Sequence, residues 1–221
     1  MRKKVCILAA VFVLILALCS CTTGEKKAAE DAKARWEKLS MTERYEELGK
    51  VEKQVINLQK ALGGNTPYPE LYRNMYVGML TGKEKTDSLD GGTFSILREQ
   101  AVFWYGKKEG ISDTDAEVDQ YVKDSIKELR SSEEFDLIDQ AYRKSGITFE
   151  DSIWALRDIY KWQYIMSKVP NGDDDTLDQV IAQFKQSSDV AKVMGPIRAS
   201  RKLLKDGVTD LDKIKAADIY Y

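Results

Sequence analysis

Three cysteines, Cys6, Cys19 and Cys21, carry all the thiols of this chain, and two of them fall in the stretch LCSC, residues 18–21. Thiols at that spacing could form a disulfide, hold a metal or cycle as a redox couple. Each of these needs partners that the chain does not supply. No cysteine lies beyond residue 21, and there is no histidine at all. That excludes an imidazole base, a histidine metal ligand and a Ser-His-Asp triad. Carboxylates remain. Asp173-Asp174-Asp175 offers hard oxygens that suit Ca²⁺, but the spacing matches no calcium loop, and an acidic run ahead of a helix complements its dipole. Glu133-Glu134 after Ser132 reads the same way. Gly91-Gly92-Thr93 has the glycines of an anion-holding helix entry without the phosphate-binding lysine, so it reads as a loop followed by a cap. The residues point to no catalytic set, no metal site and no cofactor.

The cysteines make better sense as an address. MRKK is a basic opening, and Val5 to Leu18 is an apolar run of fourteen residues. A membrane span needs about 20; a secretory signal needs fewer. Leu18-Cys19-Ser20-Cys21 resembles the lipobox of bacterial lipoproteins. The resemblance implies cleavage after Ser20, so that residues 1–20 are a signal peptide. It also implies a diacylglycerol on the Cys21 thiol and residence at the extracytoplasmic face of the cell membrane. More than one acyl chain makes such anchoring stable.

Charge argues against nucleic acid as a partner. The chain of 221 residues has 34 basic and 36 acidic side chains, a formal balance of −2. Loss of Arg2, Lys3 and Lys4 with the signal makes it more acidic. No basic stripe is present to neutralise phosphates.

The remainder is patterned as helices. Residues 21–39 alternate Lys, Glu and Ala and read as a solvated tether, helical or partly disordered. Ser40 and Glu43 are spaced as a capping box. After them Met41, Tyr45, Leu48, Val51, Val55, Leu58 and Leu62 recur every three or four residues, an amphipathic helix ended by Gly63-Gly64. A short helix is expected from Pro69 to Leu80, then a polar loop over 81–92, then an apolar helix capped by Thr93 and ended near Gly110. Thr114 and Glu117 form a second capping box. Ser132 opens a helix closed by Gly146. Thr148 opens what reads as the longest central helix, running to Val169. Thr176 starts another through Phe184, and Gly195-Pro196 predicts a break or kink in the one that follows. A last helical turn and a short tail end the chain. No alternating strand pattern appears, so the class is all-α, with 40–221 as one helical domain.

Part of that domain resembles a known module. Gly106-Lys-Lys-Glu-Gly-Ile111, then Ser112-Asp-Thr-Asp-Ala-Glu117-Val118-Asp119, then Gly146-Ile-Thr148-Phe-Glu-Asp-Ser-Ile153 are similar to phrases of the chaperone domain in the SurA and PrsA families of extracytoplasmic foldases. The stretch concerned is 97–169, about a third of the chain. The resemblance implies a helical bundle of that type with an added long N-terminal helix, and unfolded or secreted polypeptides as clients. Two features depart from those families. The opening strand with its Val-Asn-Gly phrase is missing, and the parvulin isomerase domain has neither room nor a histidine. Isomerase activity is therefore not implied.

Aromatic residues cluster at 94–105 and 149–164. Phe94, Leu97, Phe103, Trp104, Tyr105, Trp154, Tyr160, Trp162 and Tyr164 exceed a single helical stripe. A helix apolar on more than one face is either buried or exposes a groove. The nine residues are thus candidates for binding extended polypeptide, with core packing as the plainer alternative. The functional expectation is a non-catalytic, chaperone-like lipoprotein; its alternative is an interaction lipoprotein with one specific envelope partner.

Overall fold

A computed structural model describes residues 23–169 and 174–221. The lipobox with Cys21, and Asp173 of the acidic run, lie outside them. The described residues form eleven helices and no strand: α1 Thr23–Lys38, α2 Met41–Leu62, α3 Tyr68–Leu80, α4 Lys85–Lys108, α5 Asp115–Leu129, α6 Phe135–Lys144, α7 Phe149–Ala155, α8 Arg157–Lys168, α9 Asp174–Gln186, α10 Val190–Lys205 and α11 Leu211–Lys215. The all-α class expected from the pattern is the observed one.

Local chemistry sets many of the boundaries. The capping boxes Ser40–Glu43, Thr114–Glu117 and Thr148–Asp151 all form, each hydroxyl accepting from a backbone amide that the helix start leaves free. α4 ends where Gly110, at φ +66°, lets Ile111 N donate to Gly106 O at 2.9 Å, a glycine-dependent helix stop.

Four expectations are corrected. The segment 81–92 is not a polar loop, because α4 begins at Lys85 and runs through Gly91-Gly92. Thr93 is therefore no cap; its hydroxyl donates back to Leu89 O at 2.8 Å. The glycine is there for close approach: a Cβ on Gly92 would lie 2.9 Å from Asn74 Cβ of α3. Packing here overrides helix propensity. Second, Ser132 does not open α6, which starts at Phe135 after a turn. Third, the helix from Thr148 divides at Leu156 (φ −97°, ψ 21°) into α7 and α8, and α4 is the longest. Gln59 Nε2 donates to Ala155 O at 2.8 Å, a partner for a carbonyl exposed by the break. Fourth, α10 continues through Gly195-Pro196, with Pro196 buried inside it.

Two hydrophobic cores result. The first gathers Leu58, Leu71, Ile96, Val102, Ile165, Phe184, Ile197 and Ile219, from α2, α3, α4, α8, α9, α10 and the tail. The second gathers Val51, Val55, Val77, Val122, Tyr142, Phe149 and Ile153, from α2, α3 and α5 to α7. α2 and α3 contribute to both. α1 is no detached strand of tether: Ala29 is buried, and Gly82, at φ +87°, brings the α3–α4 turn against Ala29 and Lys33.

The α3–α4 hairpin is the tightest helix pair. A Cβ at Gly78 would stand 2.7 Å from Ser88 Cβ. Gly78→Ala is expected to cost about 1–3 kcal/mol by overpacking, read as a lowered urea midpoint. Gly195 is exposed, helical and has nothing within 4 Å of its would-be Cβ. Gly195→Ala is expected to stabilise by about 0.5–1 kcal/mol. Equal effects at the two positions would refute the packing argument.

Candidate functional site

Eight of the nine aromatic and apolar candidates are divided between the two cores, with Leu97, Phe103, Trp104, Tyr105, Trp154 and Trp162 half-buried. Tyr160 is buried and Trp154 packs against the second core. Tyr164 is buried in the first core, where Leu97, Phe103, Trp104, Tyr105 and Trp162 pack against it. Trp104 meets Phe184 with ring centroids 5.9 Å apart, Arg98 lies 4.6 Å over Trp162, and Lys161 sits 5.1 Å from Phe103. The Tyr164 hydroxyl donates to Glu117 Oε1 at 3.2 Å, linking α8 to the cap of α5. Only Phe94 of the nine is exposed, at 52%. Isolated exposed apolar residues are ordinary on a protein surface.

An open recess of about 440 Å³ is lined by Arg130, Phe135, Asp136, Asp139, Arg143, Thr148 and Glu150. Its cations are already engaged: Arg130 pairs with Glu150 and Arg143 with Asp139. The Asp139 carboxylate also accepts from Phe149 N at 2.8 Å. These contacts join α5, α6 and α7, and they leave the recess without a free reactive group among those pairs.

The unusual electrostatics lie elsewhere. Glu70 on α3 and Glu99 on α4 share a hydrogen bond, with Glu99 donating. Burial raises the Glu70 carboxyl to about 8, helped by the charge of Asp158 on α8. Burial and the Glu70 charge push Glu99 well above the carboxylate range. Asp158, an exposed residue, is raised too, by desolvation of its carboxyl against the pull of Lys161 and Arg157. The Glu70 and Glu99 carboxyls therefore both stay protonated until Glu70 ionises, after which the Glu99 proton bridges to the Glu70 carboxylate. Tyr221 lies beside them, 37% exposed overall, its phenol pushed up by desolvation of the hydroxyl end and then by all three acids. One backbone and one side-chain hydrogen bond hold that tail in place: Tyr221 N donates to Asn65 O at 3.2 Å, and the side-chain Asn65 Nδ2 donates to Tyr221 O at 2.9 Å. Among the described residues, no three acidic or other ligating side chains have a geometry that would hold a metal ion.

A second buried polar contact crosses from α2 to α3. Arg73 Nε donates to Glu52 Oε1 at 2.6 Å, with side chains 10% and 2% exposed. Glu52 Oε2 has no partner. Tyr142 of α6 lies against this pair, and its phenol is raised by burial and then by Glu52.

Reading the pattern alone missed both groups. A signal was available, since Glu99 falls on the stripe Leu89, Gly92, Ile96, Val102, Gly106, and Glu52 falls between Leu48 and Val55 on the buried face of α2. An ionisable residue on a buried stripe marks an interior contact. Comparison with protein-family models, with curated proteins and with solved structures finds no match. No described helix is long and apolar enough to cross a membrane.

Proposed function

We propose that this is a lipid-anchored extracytoplasmic protein that acts by binding polypeptide and carries out no chemistry of its own. The anchor is Cys21. The observation that carries the binding reading toward one specific envelope partner is the distribution of the aromatic side chains. They are shared between two closed cores, and exposed large apolar residues such as Phe94, Met41 and Leu137 lie on different helices. A general holder of unfolded chains needs a contiguous apolar patch of several hundred Å²; separate contacts suit a defined partner.

The second reading is a chaperone of the SurA and PrsA type, with unfolded or secreted proteins as clients. It is supported by the helix stops and capping boxes at Gly106–Ile111, Thr114–Glu117 and Gly146–Asp151, which form at the positions of the resembling phrases.

A photo-crosslinking residue at position 94 separates the two in intact envelopes. One discrete adduct is the expected result. A ladder of many adducts, together with suppression of aggregation of a reduced secreted protein, would favour the chaperone reading. Absence of any adduct from all of positions 41, 94 and 137 would overturn both.

A further inference from the structure

The place where α1 begins, and what it packs on, bears on how the folded body stands at the membrane. Thr22 alone separates the lipid-attachment residue, Cys21, from α1, which starts at Thr23. Two residues reach at most about 7 Å when extended. α1 is in turn fixed to the body. Ala29 is buried, Gly82 closes on Ala29 O and Lys33, and Thr86 Oγ1 donates to Glu25 Oε2 at 3.4 Å. Thr86 belongs to the first turn of α4, and its neighbour Lys85 donates to Lys205 O at the last turn of α10, at 3.0 Å. The starts of α1 and α4 and the end of α10 therefore form one end of the molecule.

We infer that this end rests directly against the lipid headgroups, so that the protein has a fixed face toward the membrane and no free tether. The inference rests on lipidation of Cys21 and deepens that reading. Charge does not drive the contact. Exposed Lys26, Lys27, Lys202 and Lys205 alternate with Glu25, Asp87 and Asp206 on these turns. The covalent link sets the position, so apposition persists on zwitterionic membranes and in high salt, where a basic patch would let go. α1 is about 24 Å long, and Trp36 near its C-terminal end packs at the second core, which α5 to α7, with exposed Leu137, help to build. That side faces outward, toward partners.

Single cysteines test this, because Cys21 is the only thiol retained after cleavage and lipid consumes it. A fluorophore on Lys27→Cys, Lys205→Cys or Leu137→Cys is read in the full-length lipidated protein, reconstituted in vesicles whose headgroups carry a quencher. Phosphatidylcholine alone and phosphatidylcholine with phosphatidylglycerol are compared, each in low and high salt. Positions 27 and 205 are expected to lose most of their emission in both lipids and both salts, and position 137 to keep it. Adding Ala29→Asp, which undocks α1 and frees 16 residues of chain, is expected to restore emission at 205. Circular dichroism checks that the helices survive. If the protein stays with the vesicles but 205 and 137 are quenched alike, or 205 is insensitive to Ala29→Asp, apposition fails while the anchor stands. If quenching at 205 needs the anionic lipid, a charge contact replaces the proposed one. If the mature chain carries no acyl mass and leaves the vesicles, the anchor itself fails, and the inference with it.

Discussion

Replacing Arg73 by alanine is expected to lower the unfolding free energy by about 3–5 kcal/mol. The size follows from where the partner sits. Glu52 is 1% exposed between α2 and α3, and Arg73 is its one hydrogen-bonded cation. Burial works against the Arg73 charge, yet Glu52 more than offsets it and holds the guanidinium above its ordinary range. Removing the guanidinium strands a carboxylate whose Oε2 already lacks a partner, and the lost desolvation is not recovered. Glu52→Ala leaves the opposite charge stranded and is expected to cost a comparable amount. The double variant Glu52→Leu with Arg73→Met is expected to be close to the parent or above it, since an apolar pair of similar volume avoids the desolvation cost. Urea unfolding of these proteins and of the double variant Glu52→Ala with Arg73→Ala, which closes the cycle, reads the coupling. Additive losses would mean that the pair does not act as a unit.

The carboxyl cluster predicts a pH dependence opposite to that of most surface acids. Glu70 holds its proton up to about pH 8 in the folded protein, whereas its ordinary value is 4.5. Between those values the folded state keeps a proton that the unfolded chain has released. Stability therefore falls as pH rises from about 4.5 to about 8, and this contribution levels off above that. Glu70→Gln keeps an acceptor for Glu99 and removes the titration. At pH 8 it is expected to be more stable than the parent, by on the order of 2 kcal/mol, with a flatter profile from pH 5 to 9. A parent whose stability rises steadily across that interval, or a variant that merely loses stability at every pH, would refute the raised Glu70 carboxyl. Asp158, Tyr221 and Arg98 face the same pair from α8, the tail and α4, so Asp158→Asn is expected to shift the profile in the same direction by less.

Short-range chemistry made much of this fold legible. Ser40–Glu43, Thr114–Glu117 and Thr148–Asp151 are three-residue spacings whose hydrogen bonds are closed within the segment, so the pattern alone located α2, α5 and α7. The failures were tertiary. Gly91-Gly92 looks like a loop until Asn74 and Leu71 are seen to need the space. Pro196 looks like a break until its ring is found buried within α10. The interruption at Leu156 has no proline or glycine to announce it. The site failed similarly. Glu70, Glu99, Asp158 and Tyr221 come from four segments far apart in sequence, and only the packing of α3, α4, α8 and the tail puts them together. The aromatic residues were correctly picked out as too many for one stripe, and two cores account for the surplus.

The segment from Ile219 to Tyr221 imposes an order of assembly. Ile219 is fully buried in the first core with Leu58 and Leu71, and Tyr221 is latched to Asn65. A chain delivered N-terminus first must keep part of the apolar surface of α2 to α4 waiting until Ile219 arrives. The second core, built from residues up to Tyr160, needs nothing so late and can close earlier. The first core is thus the later of the two to close, and its last seam is where the segment of Ile219 meets α2 and α3.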